Sequence, residues 1–130
     1  MGESVTGFGP LSLAYLGDAV YERYVREYLL KSRGNLPVEK YHRLATAFVR
    51  AEAQAEASEQ LRESFDEEEN DIFRKARNAR SHAAPKGVAT GIYHRATGFE
   101  AVIGWLYLSG KEERAQELMA KTIAYLEEKQ

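Results

Sequence analysis

The fold of this chain is decided around an apolar stretch that contains a single carboxylate, Leu13-Ala-Tyr-Leu-Gly-Asp-Ala-Val-Tyr21. Pro10 suits the first turn of a helix. Apolar residues then recur three or four positions apart, at Leu13, Leu16, Val20, Tyr24 and Tyr28. This spacing predicts a helix from about residue 10 to residue 31, ended by Gly34. Because the helix looks apolar almost all round, we expect it to be largely buried, Asp18 included.

A second stretch has the same character, Gly98-Phe-Glu-Ala-Val-Ile-Gly-Trp-Leu-Tyr107, with Glu100 as its one acid. It predicts a buried helix over about residues 96–108. An isolated ionised carboxylate is costly to bury, so it is normally paired or bound to a metal. One interpretation is that each acid pairs with a buried arginine or caps a helix. The other is a shared Mg²⁺ or Mn²⁺ site, where Gly17 and Gly98 let backbones and a hydrated cation approach closely.

The rest of the chain predicts further helices and almost no strand pattern. An Ala-rich helix should start near Pro37 and run to about Arg62, with a break near Ala51. Asp66 is a plausible N-cap for a helix through about Ala79, and a loop with Pro85, Gly87 and Gly91 follows. The last helix should cover about residues 111–128. The prediction is an all-α fold, with all 130 residues in one domain.

Charge is unevenly distributed although the net charge is only −2. Residues 72–99 contain no acid but six basic side chains, Arg74, Lys75, Arg77, Arg80, Lys86 and Arg95. An acidic block, residues 63–71, comes just before them. This pattern indicates either a local positive surface for a nucleic acid or simply solvated charges at helix ends.

Several other classes lack support in the sequence. There is no cysteine, which excludes disulfides and thiolate metal sites. No HExxH, Walker, GxGxxG or GxSxG motif is present. His82 and His94 therefore suit phosphate contacts or structural roles better than metal ligation. With no secretory signal and no apolar run of about 20 residues, we expect a soluble cytoplasmic protein.

Both acidic stretches resemble motifs of the ribonuclease III family. Residues 13–22 are similar to the signature helix of that family, with its Leu-Gly-Asp-Ala core, and residues 97–108 are similar to its second acidic helix. Between them, residues 77–82, 85–86 and 93–98 resemble the Mini-III branch. The motifs are correctly ordered and spaced over roughly residues 10–108.

The resemblance implies a compact multi-helix endonuclease domain that forms a homodimer and cleaves double-stranded RNA with Mg²⁺, for which Mn²⁺ could substitute. Asp18 and Glu100 would be the catalytic, metal-binding acids. The products would carry a 5′-phosphate and a 3′-hydroxyl, and the associated task is maturation of 23S ribosomal RNA precursors, with a ribosomal protein or the pre-ribosome as a further partner. The basic segment would contact RNA through Arg77, Asn78, Arg80, Ser81, His82, Lys86, Tyr93, His94 and Arg95.

Some features depart from the larger members of the family. Only about 20 residues follow the second motif, so no double-stranded-RNA-binding domain is expected. Ala14 and Thr97 stand where those enzymes have further acids, which leaves two acidic ligands per subunit. Two alternatives remain open: a non-catalytic RNA-binding or ribosome-associated protein on the same fold, and a helical nucleotide hydrolase. The tyrosines of the first helix, together with Phe99, Ile103 and Trp105, are expected in the core or a dimer interface.

Overall fold

The structure is a computed structural model that describes residues 7–79 and 83–130. Over these ranges the chain has no strand, and the all-α prediction is confirmed. Six α-helices follow one another: α1 (Pro10–Arg33), α2 (Val38–Val49), α3 (Ala51–Leu61), α4 (Glu67–Arg77), α5 (Thr90–Leu108) and α6 (Glu112–Glu128). A short 3₁₀ turn, Arg62–Ser64, links α3 to α4.

Local signals set several of the helix ends. Proline occupies the start of α1, and Gly34 ends it with φ 72°, a conformation that glycine adopts without a Cβ penalty. The predicted break near Ala51 is confirmed, because Arg50 has extended backbone angles and separates α2 from α3.

Helix α4 accounts for much of the uneven charge. Asp66 and Glu69 form a capping box, in which each carboxylate accepts a hydrogen bond from the other residue's backbone N–H, at 2.8 and 2.9 Å. Acids fill the first turn and bases the last turn, which is the arrangement that the helix dipole favours. Asp71 also pairs with Arg74 at 2.7 Å and with Lys75 at 3.0 Å. For this helix, the interpretation as charges at helix ends is confirmed.

Helix α5 is the centre of the fold and packs against α1, α3 and α4. It starts at Thr90, so the predicted start near residue 96 and the placement of Gly91 in a loop were wrong. The packing of successive turns of α5 against its neighbours outweighs the cost of glycine in its first turn, about 1 kcal/mol. Tyr93, His94 and Arg95 therefore lie on a helix rather than in a loop.

Aromatic and aliphatic side chains from all six helices form the main core. Tyr21 packs edge-on against Phe99, with ring centroids 5.0 Å apart, and donates a hydrogen bond to the backbone oxygen of Phe48 at 2.8 Å. Phe99 and Ile103 are buried as expected, and Trp105 is partly buried against the same cluster. None of the helices that the structure describes is long and apolar enough to cross a membrane.

Candidate active site

The two acids of the site are brought together by a glycine contact between α1 and α5. A Cβ on Gly17 would overlap the carbonyl group of Glu100 and would lie 2.9 Å from the amide nitrogen of Gly104. A Cβ on Gly104 would likewise overlap the carbonyl oxygen of Leu13. The two helices therefore touch backbone to backbone. Because Asp18 follows Gly17 and Glu100 sits at the contact itself, their carboxyl groups converge.

Convergence of the two carboxyls alters the ionisation of Glu100. Burial, together with the negative charge of Asp18 and a contact between the two carboxyls, raises the pKa of Glu100 to about 8. Two carboxylates held this close repel each other unless a proton or a cation lies between them. Oxygen donors in this arrangement suit a hard divalent cation such as Mg²⁺ or Mn²⁺.

The burial expected for α1 was only half right. One face of the helix is buried, through residues such as Leu13, Tyr21 and Val25, but Asp18 is exposed. The apolar residues on its outer side, which suggested an enclosed helix, include Tyr15, which is 85% exposed. Glu100 is half-buried. Most of the stretch predicted to be buried in α5 is buried, namely residues 96–99, 101–104 and 106, although Tyr107 is exposed. One acid therefore faces solvent while the other lies deeper.

Gln54, from the first turns of α3, is a member of the site that the sequence analysis missed. It is only 3% exposed, and its amide lies beside Glu100, where it opposes the rise in the pKa of that carboxyl. The one signal in the sequence is a glutamine within an alanine-rich helix. Nothing in its immediate neighbours shows that this helix passes beside Glu100.

The two positions that lack acids contribute no ligand. Ala14 packs with Leu13, Ala76 and Ala101 in a small second apolar cluster. Thr97 is buried, and its hydroxyl donates a hydrogen bond to the backbone oxygen of Tyr93 at 3.0 Å. In the part of the chain that the structure describes, no group of three or more acids or histidines could hold a metal. Asp18 and Glu100 are the acids of this site.

Gly98 has a different role from the one predicted. A Cβ there would lie 2.7 Å from the ring of Phe73, so this glycine allows α5 to pack against α4. The glycine that does adjoin the acid pair is Gly104, four residues after Glu100 and inside the apolar run. Its role became visible only once the helix crossing was known.

The predicted RNA-contacting residues flank the connection between α4 and α5. Arg80, Ser81 and His82 lie outside the described residues. Asn78 follows the end of α4 and is exposed, as is Lys86 within the connection. Arg77 ends α4, with its guanidinium 5.7 Å from the ring centroid of Phe73.

The other three predicted RNA-contacting residues are half-buried in the first turns of α5: Tyr93, His94 and Arg95. Arg95 lies 3.8 Å from Glu59 and is therefore partly neutralised. Tyr93 is seven residues before Glu100, which places both on one side of the helix, about 10 Å apart along its axis.

The chain is similar to proteins of known family over most of its length. Residues 11–111 match the Ribonuclease III domain family. The chain is 46% identical to the Mini-ribonuclease 3 of Symbiobacterium thermophilum, over 91% of this chain and 90% of that protein. It is 41% identical to the Mini-ribonuclease 3 of Thermoanaerobacter sp. strain X514, over 97% and 88% of the two chains.

A solved structure has the same fold. The crystal structure of protein FN1578 from Fusobacterium nucleatum superimposes with a TM-score of 0.82 at 30% sequence identity, covering 91% of this chain and 95% of that one. The matched family region contains both acids and the glycines that hold their helices together. The chain therefore belongs to the ribonuclease III family and, within it, to the Mini-ribonuclease 3 branch.

Proposed function

We propose that this protein is a Mg²⁺-dependent endoribonuclease that cleaves double-stranded RNA. The observation that carries the proposal is the pairing of Asp18 and Glu100 across the α1–α5 glycine contact, in a chain of the ribonuclease III family. Two convergent oxygen ligands from rigid helices are suited to holding a cation in a fixed position. All 130 residues would form the one catalytic domain.

Asp18 and Glu100 would hold the ion, Mg²⁺ or Mn²⁺ in its place. When bound there, the ion would supply an activated water and would neutralise charge on the phosphate, and the products of hydrolysis would carry a 5′-phosphate and a 3′-hydroxyl. Glu100 must give up its proton when it becomes a ligand, because the raised pKa keeps it protonated at neutral pH in the metal-free protein. Asp18, on the exposed side, is open to the substrate phosphate.

A homodimer is part of the proposal, because one acid pair per chain suits the cleavage of one strand. The outer face of α1 supports it. Tyr15 is 85% exposed, Ala19 beside Asp18 is exposed, and Phe8 just before the helix is 54% exposed. Apolar groups this exposed next to a catalytic acid indicate a contact surface. A symmetric dimer through this face would present two acid pairs to the two strands of a duplex.

Contacts with the duplex would come from the ends of α4 and α5 and the connection between them. Arg77, Asn78, Lys86 and Tyr93 are the described residues best placed for it, since Arg95 has a carboxylate partner and α4 neutralises Arg74 and Lys75 internally. His94 belongs to the same surface, and Arg80, Ser81 and His82 complete the proposed set. Duplex RNA is recognised largely by shape, phosphates and 2′-hydroxyls, which suits a short basic surface.

The proposal for the cellular role rests on family membership alone. We propose that the substrate is a ribosomal RNA precursor in the cytoplasm, with a ribosomal protein or the pre-ribosome helping to present it. The relatives named Mini-ribonuclease 3 cover nearly the whole chain, which supports a shared substrate class.

The deciding experiment compares Asp18→Asn with the unmodified protein on duplex RNA, with and without Mg²⁺. We expect Asp18→Asn to bind the duplex but not to cut it. Glu22→Gln is a matched control, because Glu22 is an exposed acid one turn further along α1 that faces Arg26 at 3.8 Å. It should retain cleavage. A protein that binds duplex RNA and never cuts it would indicate the binding-protein alternative, and turnover of mononucleotides would indicate the nucleotide hydrolase.

A further inference from the structure

Gln54 is held rigidly at the corner between α2 and α3. It lies in the first turns of α3, where its backbone N–H donates to the oxygen of Arg50 at 3.1 Å. Its side-chain nitrogen donates to the oxygen of Val49 at 2.8 Å. A backbone carbonyl can only accept a hydrogen bond, so this contact fixes which end of the amide is nitrogen. The side chain, only 3% exposed, is thereby anchored in one orientation.

The same amide lies beside Glu100 and lowers the pKa of that carboxyl, which is the effect of a donor that faces a carboxylate. This leaves the side-chain oxygen. Gln54 Oε1 is buried and has no hydrogen-bond donor among the described residues. Leaving a buried polar oxygen unsatisfied costs about 1–3 kcal/mol, so such an atom normally indicates a missing partner.

We propose that Gln54 is a positioning residue of the acid pair: its nitrogen fixes the Glu100 carboxylate beside Asp18, and its oxygen receives the divalent cation or one of its waters. The inference rests on the proposed function, because it concerns the same ion. It adds a third protein group, from a third helix, to a site in which the sequence pattern gives only two.

An amide suits this position better than a third acid would. The negative charge of Asp18 already disfavours ionisation of Glu100, and a third carboxylate beside them would make it costlier for Glu100 to give up its proton when the ion binds. A neutral amide can donate to Glu100 in the metal-free protein and still offer an oxygen to a hard cation.

The test measures metal binding by thermal unfolding in a series of Mg²⁺ and Mn²⁺ concentrations, without RNA, alongside cleavage of duplex RNA. Gln54→Met keeps the side-chain length but removes both polar atoms. We expect it to require about 10- to 100-fold more metal for half-maximal stabilisation, which is the usual effect of losing a group that orients a metal ligand. Ser58→Ala is the matched control, since Ser58 is fully buried one turn along α3 and donates only to the oxygen of Ala55. It should leave the metal response unchanged.

Gln54→Glu gives a second, independent readout if Gln54→Met does not fold. It keeps an oxygen, adds a charge and cannot donate, so it should lower the melting temperature without metal and reduce the metal concentration needed. If Gln54→Met and Gln54→Glu both respond to metal as the unmodified protein does, while Asp18→Asn does not respond, the role of Gln54 is refuted and the proposed function stands. If the unmodified protein shows neither metal-dependent stabilisation nor cleavage, both proposals fail.

Discussion

Replacing Glu100 with glutamine should stabilise the metal-free protein at neutral pH, although it removes one of the two proposed catalytic acids. The carboxyl group of Glu100 has its pKa raised to about 8 by burial and by Asp18. In the unfolded chain it would titrate near 4.5. A group with a raised pKa in the folded state contributes stability that is full below the unfolded value. That stability is lost progressively as the pH rises from about 4.5 to about 8. Glutamine does not titrate, so Glu100→Gln escapes this loss.

The size of the effect follows from the two pKa values. At about 1.4 kcal/mol per pH unit, the interval from 4.5 to 7 corresponds to roughly 3 kcal/mol lost by the unmodified protein at pH 7. Since Glu100 is only half-buried, water should relax part of this difference, and we expect about 1–3 kcal/mol. For a chain of this size, that is a rise in melting temperature of roughly 3–10 °C.

The assay is urea or thermal unfolding at several pH values between 5 and 8.5, with a chelator present. The gap between Glu100→Gln and the unmodified protein should be small at pH 5, widen to about pH 8 and then level off. Glu127→Gln is a control whose stability difference from the unmodified protein should stay constant across this window. Hydrogen bonds from Arg33 and Tyr28 hold the pKa of Glu127 below its usual value of 4.5, so its stabilising effect is fully present from pH 5 upward and is lost only as the pH falls below that value.

Adding Mg²⁺ should make the unmodified protein more stable than Glu100→Gln, because only the unmodified protein can use both acids as ligands. The reasoning is refuted if the stability difference between Glu100→Gln and the unmodified protein is the same at pH 5 and pH 8. Such a result would mean that the folded protein does not raise the pKa of Glu100.

Three other predictions concern the crossing, the core and RNA binding. Gly17→Ala should destabilise the protein and abolish cleavage, because its Cβ would overlap the carbonyl group of Glu100. Gly91→Ala is the control, because a Cβ there meets nothing within 4 Å. In the same unfolding and cleavage assays it should be neutral or should stabilise the protein by up to about 1 kcal/mol. Arg114→Met leaves Glu69, 1% exposed, without its bidentate partner, and should cost about 3–5 kcal/mol in urea unfolding without changing the Mg²⁺ concentration needed for half-maximal activity. Lys86→Ala should reduce the salt dependence of duplex binding by about 0.9 in the log–log slope per chain, and an unchanged slope would remove Lys86 from the RNA surface.

Much of the fold could be predicted from the sequence because its signals are local. The spacing of apolar residues predicted the helices, and Pro10, Gly34 and Asp66 predicted helix ends that the structure confirms. The start of α5 could not be predicted in this way. Gly91 is a local signal for a loop, but the packing of α5 against three other helices overrides it.

In the site, too, local sequence signals could be recognised, whereas features that depend on helix packing could not. Asp18 and Glu100 stood out because each is the one acid in an apolar stretch. Gly104 and Gln54 did not, because their importance depends on which helices cross and where. A glycine inside an apolar run and a glutamine among alanines acquire meaning only when α1, α3 and α5 are placed side by side.

The glycine contact between α1 and α5 also determines how freely the protein can be altered. Since two backbones set the separation of the acids, changes of side chain elsewhere in the core should leave that separation intact. Volume-conserving substitutions at fully buried positions such as Val102 or Leu106 would change stability modestly and leave the chemistry alone. Residues 83–89 lie between Asp18 and Glu100 in sequence but outside the crossing. An engineer seeking a different RNA preference could therefore vary these residues and expect the geometry of the acid pair to persist.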